Sequence, residues 1–528
     1  MATFNDARVS SRPADAAPLA GDRPANRGGK YVLYWCQMAR RLRANHALDY
    51  ALHWATKLKK PLVVYEGLKL DYPWASARFH QFMLEGMRDS AADAEAMGLN
   101  YWPFVETPNN AGRGLVRKLA ADACLVVTDD YPQFIVPAQT AAVAAAVEVP
   151  VHAVDGNGMI PLGRLGTTVS AAAHLRPRIH KLFAEAWQHR AAAEPHLTAA
   201  TKARVDPPFE PWAVPKDLPA FVRSLPVDQS VAPVSTAVGG RAAGERVLAE
   251  FVESKLPRYA AERNRPDDPA QNSASGLSYY LHYGHVGIQQ VCEAVLGPAW
   301  TVDDLNPTTR NKDDFFCRDE NANGFLDEAI TWRDIGYHFC WNAQRSAAAQ
   351  GTRSRQEPGE VPSFNFATFD FSPLDPAGTL DRVLPAWAKA TLAKHAGDRR
   401  EHLYSLAEFE AAATHDDLWN AAQTELVRTG RIHNYLRMLW AKKVLEWSAS
   451  PEEAYRVLEH LNNKYAIDGR DPNSYTGILW CFGLFDRPWA PERSVFGSVR
   501  YMSSDNTGRK FKLGAYRDYV AGLTPPPP

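Results

Sequence analysis

Short apolar runs alternate with longer mixed segments from residue 30 to about residue 155. The apolar runs lie at 31–35, 61–65, 101–105, 124–128 and 151–154. Because uninterrupted apolar residues suit strands that are buried on both faces, this pattern predicts a parallel sheet. Helices are predicted between the strands, where they would form right-handed crossovers. They span 45–58, 77–97, 112–123 and 138–147.

The predicted sheet domain is Rossmann-like, yet it lacks the glycine fingerprint of a dinucleotide site. The first strand is followed by Cys36-Gln-Met-Ala-Arg-Arg-Leu-Arg43. This segment contains no glycine that would let the backbone approach a pyrophosphate closely. We therefore do not expect NAD to bind there.

The same pattern divides the chain into two large domains. After residue 245 the segments have helix length, and a stretch rich in Pro, Val and Ala precedes them. This predicts an α/β domain and an all-α domain joined by a connector, with disordered termini. The predicted bounds are 1–29 for the N-terminal arm, 30–204 for the Rossmann-like parallel-sheet domain, 205–244 for the connector, 245–520 for the helical domain and 521–528 for the tail.

Composition changes this picture little. The chain has 528 residues, of which 45% are hydrophobic and 23% charged, and its formal net charge is −1. These values exclude a global basic field but not a local basic patch. The six cysteines are scattered without a CxxC motif, so we expect no metal site and a cytoplasmic location. No apolar run approaches the ~20 residues of a membrane span, and we expect a monomer.

A predicted helix over residues 431–447 carries two tryptophans on its apolar face. Trp440 and Trp447 are two helical turns apart, roughly 10 Å along the axis, and Trp419 lies shortly before the helix. For each indole alone, core packing is the ordinary interpretation. Three indoles at such spacing could instead relay an electron between the surface and an aromatic redox cofactor.

Three motifs in this region carry a family resemblance. They are Trp-Asn-Ala-Ala-Gln at 419–423, Arg-Met-Leu-Trp-Ala-Lys-Lys-Val-Leu-Glu-Trp at 437–447 and Asp-Gly-Arg-Asp-Pro-Asn-Ser-Tyr at 468–475. With them the chain resembles class II cyclobutane pyrimidine dimer DNA photolyases, from Lys30 to about Tyr519. The chain departs from the family pattern at Tyr279 and Asp334.

The resemblance implies a U-shaped FAD in the helical domain, active as reduced FADH⁻. It places Asn462 beside flavin N5, where an amide can present either its oxygen or its nitrogen. Asp468 and Asp471 would lie near the ribityl chain and the ring edge, although cap or turn roles explain both residues equally well. The implied cofactor contacts are Tyr259, Arg263, Ser275, Gly276, Leu277, Ser278, Asn462, Asp468 and Asp471.

The resemblance also implies a clamp for a flipped dimer. Glu328 would bind the bases through hydrogen bonds, Trp332 and Trp480 would form the walls and Met438 the floor. Aromatic walls contribute ~1–3 kcal/mol per stacked base. Photolyases are themselves among the enzymes for which base flipping is described, so flipping belongs to the resemblance and is not an independent deduction.

The implied activity is light-driven repair of UV-damaged DNA that contains cyclobutane pyrimidine dimers. An excited FADH⁻ would donate an electron to the flipped dimer and recover it after the ring splits, while Trp419, Trp440 and Trp447 would re-reduce an oxidised flavin. The implied DNA contacts are Arg437, Lys442, Lys443 and Arg500, of which Arg500 would fill the gap left by the dimer. The N-terminal domain would hold a deazaflavin-type antenna or none.

Two alternatives remain open at this point. A cryptochrome-like photosensor would use the same flavin pocket without repair, although it would have no need of the Glu328, Trp332, Met438 and Trp480 clamp. A DNA-binding module with a degenerate flavin site would be colourless.

Overall fold

The computed structural model describes residues 8–10, 23–269, 272–309, 312–351 and 376–524. The N-terminal part contains a six-stranded sheet with the order β1-β6-β5-β2-β3-β4. Only β1 is antiparallel to its neighbour. The strands are β1 (Val9–Ser10), β2 (Tyr31–Cys36), β3 (Leu62–Leu68), β4 (Asn100–Val105), β5 (Ala123–Asp129) and β6 (Val151–Val154).

Helices cover both faces of this sheet, and each face has its own apolar core. The α/β class and the predicted parallel strands are confirmed, with bounds that differ by a few residues. The helices of this part are α1 (His46–Leu58), α2 (Ala77–Met97), α3 (Leu115–Ala121), α4 (Val136–Ala146) and α5 (Ala172–Gln188).

The predicted N-terminal arm is ordered in part, which corrects the expectation of disorder. Val9 pairs with Val154 at the edge of the sheet. Arg8 is 2% exposed, and its guanidinium donates to the carbonyls of Asp155 at 2.9 Å and Gly158 at 3.1 Å. A two-residue strand has no period that a sequence pattern can reveal. Residues 1–7 and 11–22, and the tail from 525, lie outside the described residues.

The second part of the chain is helical where the structure describes it, as predicted. The connector region contains one short helix, and its last residues already belong to the next. The helices are α6 (Leu218–Ser224), α7 (Arg241–Glu250), α8 (Tyr259–Glu262), α9 (Ser278–His282), α10 (Ile288–Leu296), α11 (Glu320–Leu326), α12 (Arg333–Gly351), α13 (Pro376–Val383), α14 (Ala386–Lys394), α15 (Leu406–Glu410), α16 (Asp417–Thr429), α17 (Asn434–Trp447), α18 (Pro451–Tyr465), α19 (Pro472–Cys481), α20 (Ser504–Lys510) and α21 (Gly514–Gly522).

Within the described ranges, two short π-helices interrupt the regular helices, at Phe251–Lys255 and Asp327–Trp332. The second joins α11 to α12 and carries both Glu328 and Trp332. Single-turn π segments occur frequently at functional sites. No helix among the described residues is long and apolar enough to cross a membrane.

Arg78 of α2 ties the sheet domain to the late helices. Its side chain is 2% exposed and donates to the carbonyls of Tyr465 at 2.7 Å, Val427 at 2.6 Å and Ala232 at 3.0 Å. Burial lowers the pKa of Arg78 to about 10, so the side chain stays charged. Each of these bonds from a charged donor satisfies a backbone carbonyl that would otherwise be costly to bury.

Replacing Arg78 with alanine is expected to lower the free energy of unfolding by about 3 kcal/mol, because it leaves buried carbonyls without donors. Urea unfolding followed by circular dichroism measures this change. Arg88→Ala on the same helix is the control, since that side chain is 46% exposed, and it should cost less than about 0.5 kcal/mol. Equal losses in the two variants would contradict the proposed tie.

Candidate functional site

Two buried indoles on α16 and α17 lie almost parallel. The ring centroids of Trp419 and Trp440 are 6.4 Å apart with an interplanar angle of 7°, and the two side chains are 0% and 2% exposed. Trp419 Nε1 donates to the carbonyl of Trp440 at 3.0 Å, and Trp440 Nε1 donates to Gln423 Oε1 at 2.9 Å. Both indoles are thus fixed by packing and by their N–H groups.

Trp447 extends this pair into a ladder of three indoles. Its ring centroid lies 6.0 Å from that of Trp419, at 68°. Trp447 is 3% exposed, so the ladder itself ends below the surface. The order of ring contacts is Trp440, Trp419, Trp447, so Trp447 stands at one end of the ladder.

The turn over residues 468–471 holds two predicted cofactor contacts in place. A Cβ at Gly469 would lie 2.9 Å from the carbonyl oxygen of Asn462, so only glycine fits so close to the end of α18. Arg470 follows with φ 68, a left-handed conformation. Within this turn, the carboxylates of Asp468 and Asp471 have different partners.

Asp468 faces α17. Arg437 Nη2 of that helix lies 3.0 Å from Asp468 Oδ1. Burial alone would raise the pKa of Asp468, but Arg437 and Ser278 hold it below its usual value. The structure therefore brings Ser278, Arg437 and Asp468 together.

Asp471 begins α19 and faces the sheet domain. Its Oδ1 accepts from the backbone N–H of Asn473 at 2.8 Å, so the N-cap alternative is confirmed. Its Oδ2 accepts from Tyr337 at 2.6 Å and Tyr131 at 3.2 Å, and lies 3.2 Å from His282 Nδ1. Burial would raise its pKa, but these hydrogen bonds, led by that of His282, lower it. Contact with a cofactor stays a prediction.

Asn462 lies one turn before the end of α18 and is 4% exposed. Its Nδ2 donates to Asn463 Oδ1 at 3.2 Å, which fixes the orientation of the amide. The helix that carries Asn462 packs against α17, the helix of Trp440.

Glu328, which was predicted to bind the lesion, forms an ion pair with Arg263, which was predicted to bind the cofactor. Arg263 Nη1 lies 2.5 Å from Glu328 Oε1, with side chains 27% and 30% exposed. The guanidinium also lies over the Tyr259 ring, 5.6 Å from its centroid. Burial raises the pKa of the Glu328 carboxyl although Arg263 opposes this. Three predicted site residues thus meet at one place.

The residues of the predicted clamp differ in exposure. Trp332 is 41% exposed, whereas Trp480 and Met438 are half-buried. Trp480 lies beside two cations, since Arg500 Cζ is 5.2 Å and Lys442 Nζ 5.5 Å from its ring centroid. An indole as exposed as Trp332 at a helix junction has surface available for stacking.

Two predicted DNA contacts are wrong because their side chains are buried. Lys442 is 0% exposed and donates from Nζ to the carbonyl of Cys481 at 2.6 Å. Burial lowers its pKa to about 8. Lys443 has a side chain 9% exposed and pairs with Glu446 at 2.7 Å. Neither cation is presented to a phosphate.

The other two predicted DNA contacts are accessible but paired. Arg437 is bound to Asp468 as described, and Arg500 Nε lies 3.1 Å from Asp486 Oδ2 with its side chain 37% exposed. Arg500 also stacks on Trp489, 4.2 Å from the ring centroid. Arg500 therefore stands between two indoles at the edge of the predicted clamp.

Several buried polar atoms near the predicted cofactor contacts lack a partner. In the part of the chain that the structure describes, Ser273 Oγ, His433 Nε2 and Arg437 Nε are buried without a hydrogen bond. Gly276, one of the implied cofactor contacts, has φ 70. Ordered water or a polar ligand satisfies donors of this kind, and their chemistry fits a pyrophosphate.

Ser273 and His433 were missed by the sequence analysis. Neither side chain belongs to the three motifs that carry the resemblance. Only burial without a partner marks them, and burial cannot be read from a single sequence.

The chain is similar to known proteins over nearly its whole length. A family model described as DNA photolyase matches residues 32–200. The deoxyribodipyrimidine photo-lyase of Methanothermobacter thermautotrophicus is 33% identical over 510 residues, covering 96% of this chain and 97% of that protein. The enzyme of that name from Oryza sativa subsp. japonica is 32% identical over 509 residues, covering 94% and 88%.

A solved structure shares the fold. The bacterial class III photolyase from Agrobacterium tumefaciens matches with a TM-score of 0.61 at 17% identity, covering 93% of this chain and 86% of that one. The likeness in structure supports the fold alone, whereas the identity to the relatives above establishes kinship. The chain is thus an enzyme that belongs to the DNA photolyase family.

Proposed function

We propose that this chain is a class II photolyase that uses blue or near-ultraviolet light and reduced FAD to split cyclobutane pyrimidine dimers in DNA. The observation that carries the proposal is the ladder of Trp440, Trp419 and Trp447, whose neighbouring ring centroids are 6.4 Å and 6.0 Å apart. The motifs around these residues resemble class II sequences. The names of the relatives support dimer repair, and we place the enzyme with DNA inside the cell.

The residues present fit FAD. We propose that Arg263, Ser273, His433 and the turn over 275–278 hold its phosphates, since they offer cationic and unsatisfied donor groups. Asn462 would orient the flavin ring through its amide. Reduced FAD, when bound, supplies the electron that light drives to the dimer and that returns after ring splitting.

Glu328 would bind the flipped bases through its carboxyl group. A carboxyl whose pKa burial has raised is protonated over a wider pH range, and the protonated form donates a hydrogen bond to a base carbonyl. The positive charge of Arg263 opposes protonation of Glu328, since Arg263 Nη1 lies 2.5 Å from Glu328 Oε1. Arg263 would thereby set the balance between donor and acceptor forms of Glu328.

Trp332, Trp480 and Met438 would enclose the dimer. Each indole that stacks on a base contributes ~1–3 kcal/mol, and the cost of extruding an already distorted base pair is low. Arg500, which lies between Trp480 and Trp489, would occupy the gap in the duplex. With a net charge of −1, the chain would depend on such local cations for DNA binding.

An antenna chromophore would bind in the sheet domain. A cavity of ≈ 100 Å³ lies beside the carboxyl ends of the strands, lined among others by Trp35, Gln37, Arg40, Tyr72 and Arg470. Ligands of open α/β sheets bind at this edge. Because pockets for such ligands usually measure ~300 Å³ or more, side chains must move to admit a deazaflavin.

Replacing Glu328 with alanine is expected to lower the yield of dimer repair about tenfold while FAD stays bound. Tenfold corresponds to ~1.4 kcal/mol, the order of one hydrogen bond to a charged or acidic group. Repair is measured on dimer-containing DNA under saturating light, and bound FAD by its absorbance. Glu320→Ala, at an exposed glutamate on α11, is the control. An unchanged yield in Glu328→Ala would refute the base contact.

Replacing Trp440 with phenylalanine is expected to slow photoreduction of oxidised FAD at least tenfold, because the ladder loses its inner indole. Repair by enzyme that has been reduced chemically should change less than about twofold, since that reaction needs no electron from the ladder. Trp300→Phe, an indole that packs on Trp187 in another core, is the control. Equal photoreduction in Trp440→Phe and parent would remove the ladder from the mechanism.

A further inference from the structure

Aromatic contact continues outward beyond Trp447. The ring centroid of Tyr404 lies 5.7 Å from that of Trp447, at 76°, which is closer than either contact between the indoles. The backbone N–H of Tyr404 also donates to the carbonyl of Trp447 at 3.2 Å. Tyr404 is half-buried, so it stands between the buried indole and the surface.

The Tyr404 hydroxyl is aimed at an imidazole. Its oxygen lies 2.6 Å from His415 Nδ1 and accepts a hydrogen bond from the backbone N–H of His415 at 3.0 Å. In the neutral imidazole that carries its proton on Nε2, Nδ1 is an acceptor and the phenolic O–H donates to it. His415 is exposed and stacks on His402 with centroids 3.8 Å apart.

A base at this position matters because an oxidised tyrosine must release its proton. The two inner indoles lack such a base: Trp419 Nε1 donates to a backbone carbonyl and Trp440 Nε1 to an amide oxygen. Neither of these acceptors takes up a proton near neutral pH. The imidazole of His415 does, since histidine titrates in this range.

We propose that Tyr404 and His415 form the outer end of the indole ladder. Tyr404 gives one electron to oxidised Trp447 and its phenolic proton to His415 Nδ1. The products are a neutral tyrosyl radical, an imidazolium and restored Trp447, so charge and protons balance. The proposal rests on the proposed function, in which oxidised flavin is the acceptor that withdraws the first electron from the ladder.

The surroundings of His415 keep it neutral and ready to accept. Partial burial of the ring and the neighbouring His402 lower the pKa of His415 below its ordinary value, and Lys443 on α17 acts in the same direction. Asp416 and Glu401 raise it to a smaller extent. Below this lowered pKa the imidazolium cannot take the proton, so the yield of tyrosyl radical should fall as the pH is lowered through it.

Transfer of the proton to His415 would slow charge recombination. Once the proton has moved, the electron can return to Tyr404 only together with it, and the oxidised group lies near solvent, where a reductant can reach it. The indole ladder alone would leave the positive charge on Trp447, which is 3% exposed.

Flash excitation of the flavin-loaded chain, followed by electron paramagnetic resonance and transient absorption, tests the proposal. We expect a tyrosyl signal in the parent that falls at least tenfold in Tyr404→Phe and in His415→Gln, with a tryptophan radical in its place. Tyr519→Phe, which removes a half-buried tyrosine of α21, should leave the tyrosyl signal unchanged. A tyrosyl signal that survives Tyr404→Phe would overturn the proposal.

The same measurement separates this inference from the proposed function. A parent that forms tryptophan radicals but no tyrosyl radical would refute the role of Tyr404 and leave the indole ladder standing. A parent without any light-induced radical would refute the ladder itself. In the chain without flavin, Tyr404→Phe should raise the pKa of His415 measured by nuclear magnetic resonance, because it removes the donor to Nδ1. An unchanged pKa would contradict the hydrogen bond.

Discussion

The packing of α16 against α17 through Trp419 and Trp440 is the interaction on which the rest of the site depends. The stack is closed by two hydrogen bonds from the indoles, to the carbonyl of Trp440 and to Gln423. It fixes α17, which carries Met438 on its other side and Arg437 toward Asp468. A core contact and the proposed redox path thus coincide, so we expect a mutation here to affect both stability and photoreduction.

Buried charge is the second theme of the molecule. Arg78 spans the two domains, Lys442 binds a backbone carbonyl and Arg8 holds the loop after β6. Each cation replaces water with carbonyl oxygens, which makes burial tolerable. Arginine and lysine side chains that would be expected at the surface therefore bind backbone carbonyls in the interior. Fewer cations remain at the surface to contact DNA.

The sheet could be predicted from the sequence because its parallel strands are short uninterrupted apolar runs with helix-length segments between them. Strand β1 could not, since two residues give no periodicity. The helix predicted over 431–447 begins at Asn434 instead, because His433 caps it and accepts from the backbone N–H of Tyr435. Such local caps shift a boundary without changing the hydrophobic pattern.

The candidate site was predicted in outline through the motifs, whereas its pairings were not. Nothing in the spacing of Arg263 and Glu328 indicates an ion pair, and nothing around Lys442 distinguishes a buried lysine from an exposed one. The contact between Tyr404 and His415 depends on how the segment before α15 folds back over α17. These features arise from tertiary packing, which a single sequence does not encode in its local pattern.

The most direct test of the account is illumination of the purified, flavin-reduced chain with an oligonucleotide that contains a single thymine dimer. The account predicts that blue or near-ultraviolet light restores the two thymines over many turnovers, with no net consumption of reductant and no reaction in the dark. A yellow protein that binds flavin but leaves the dimer intact under light would contradict it and would favour a photosensor.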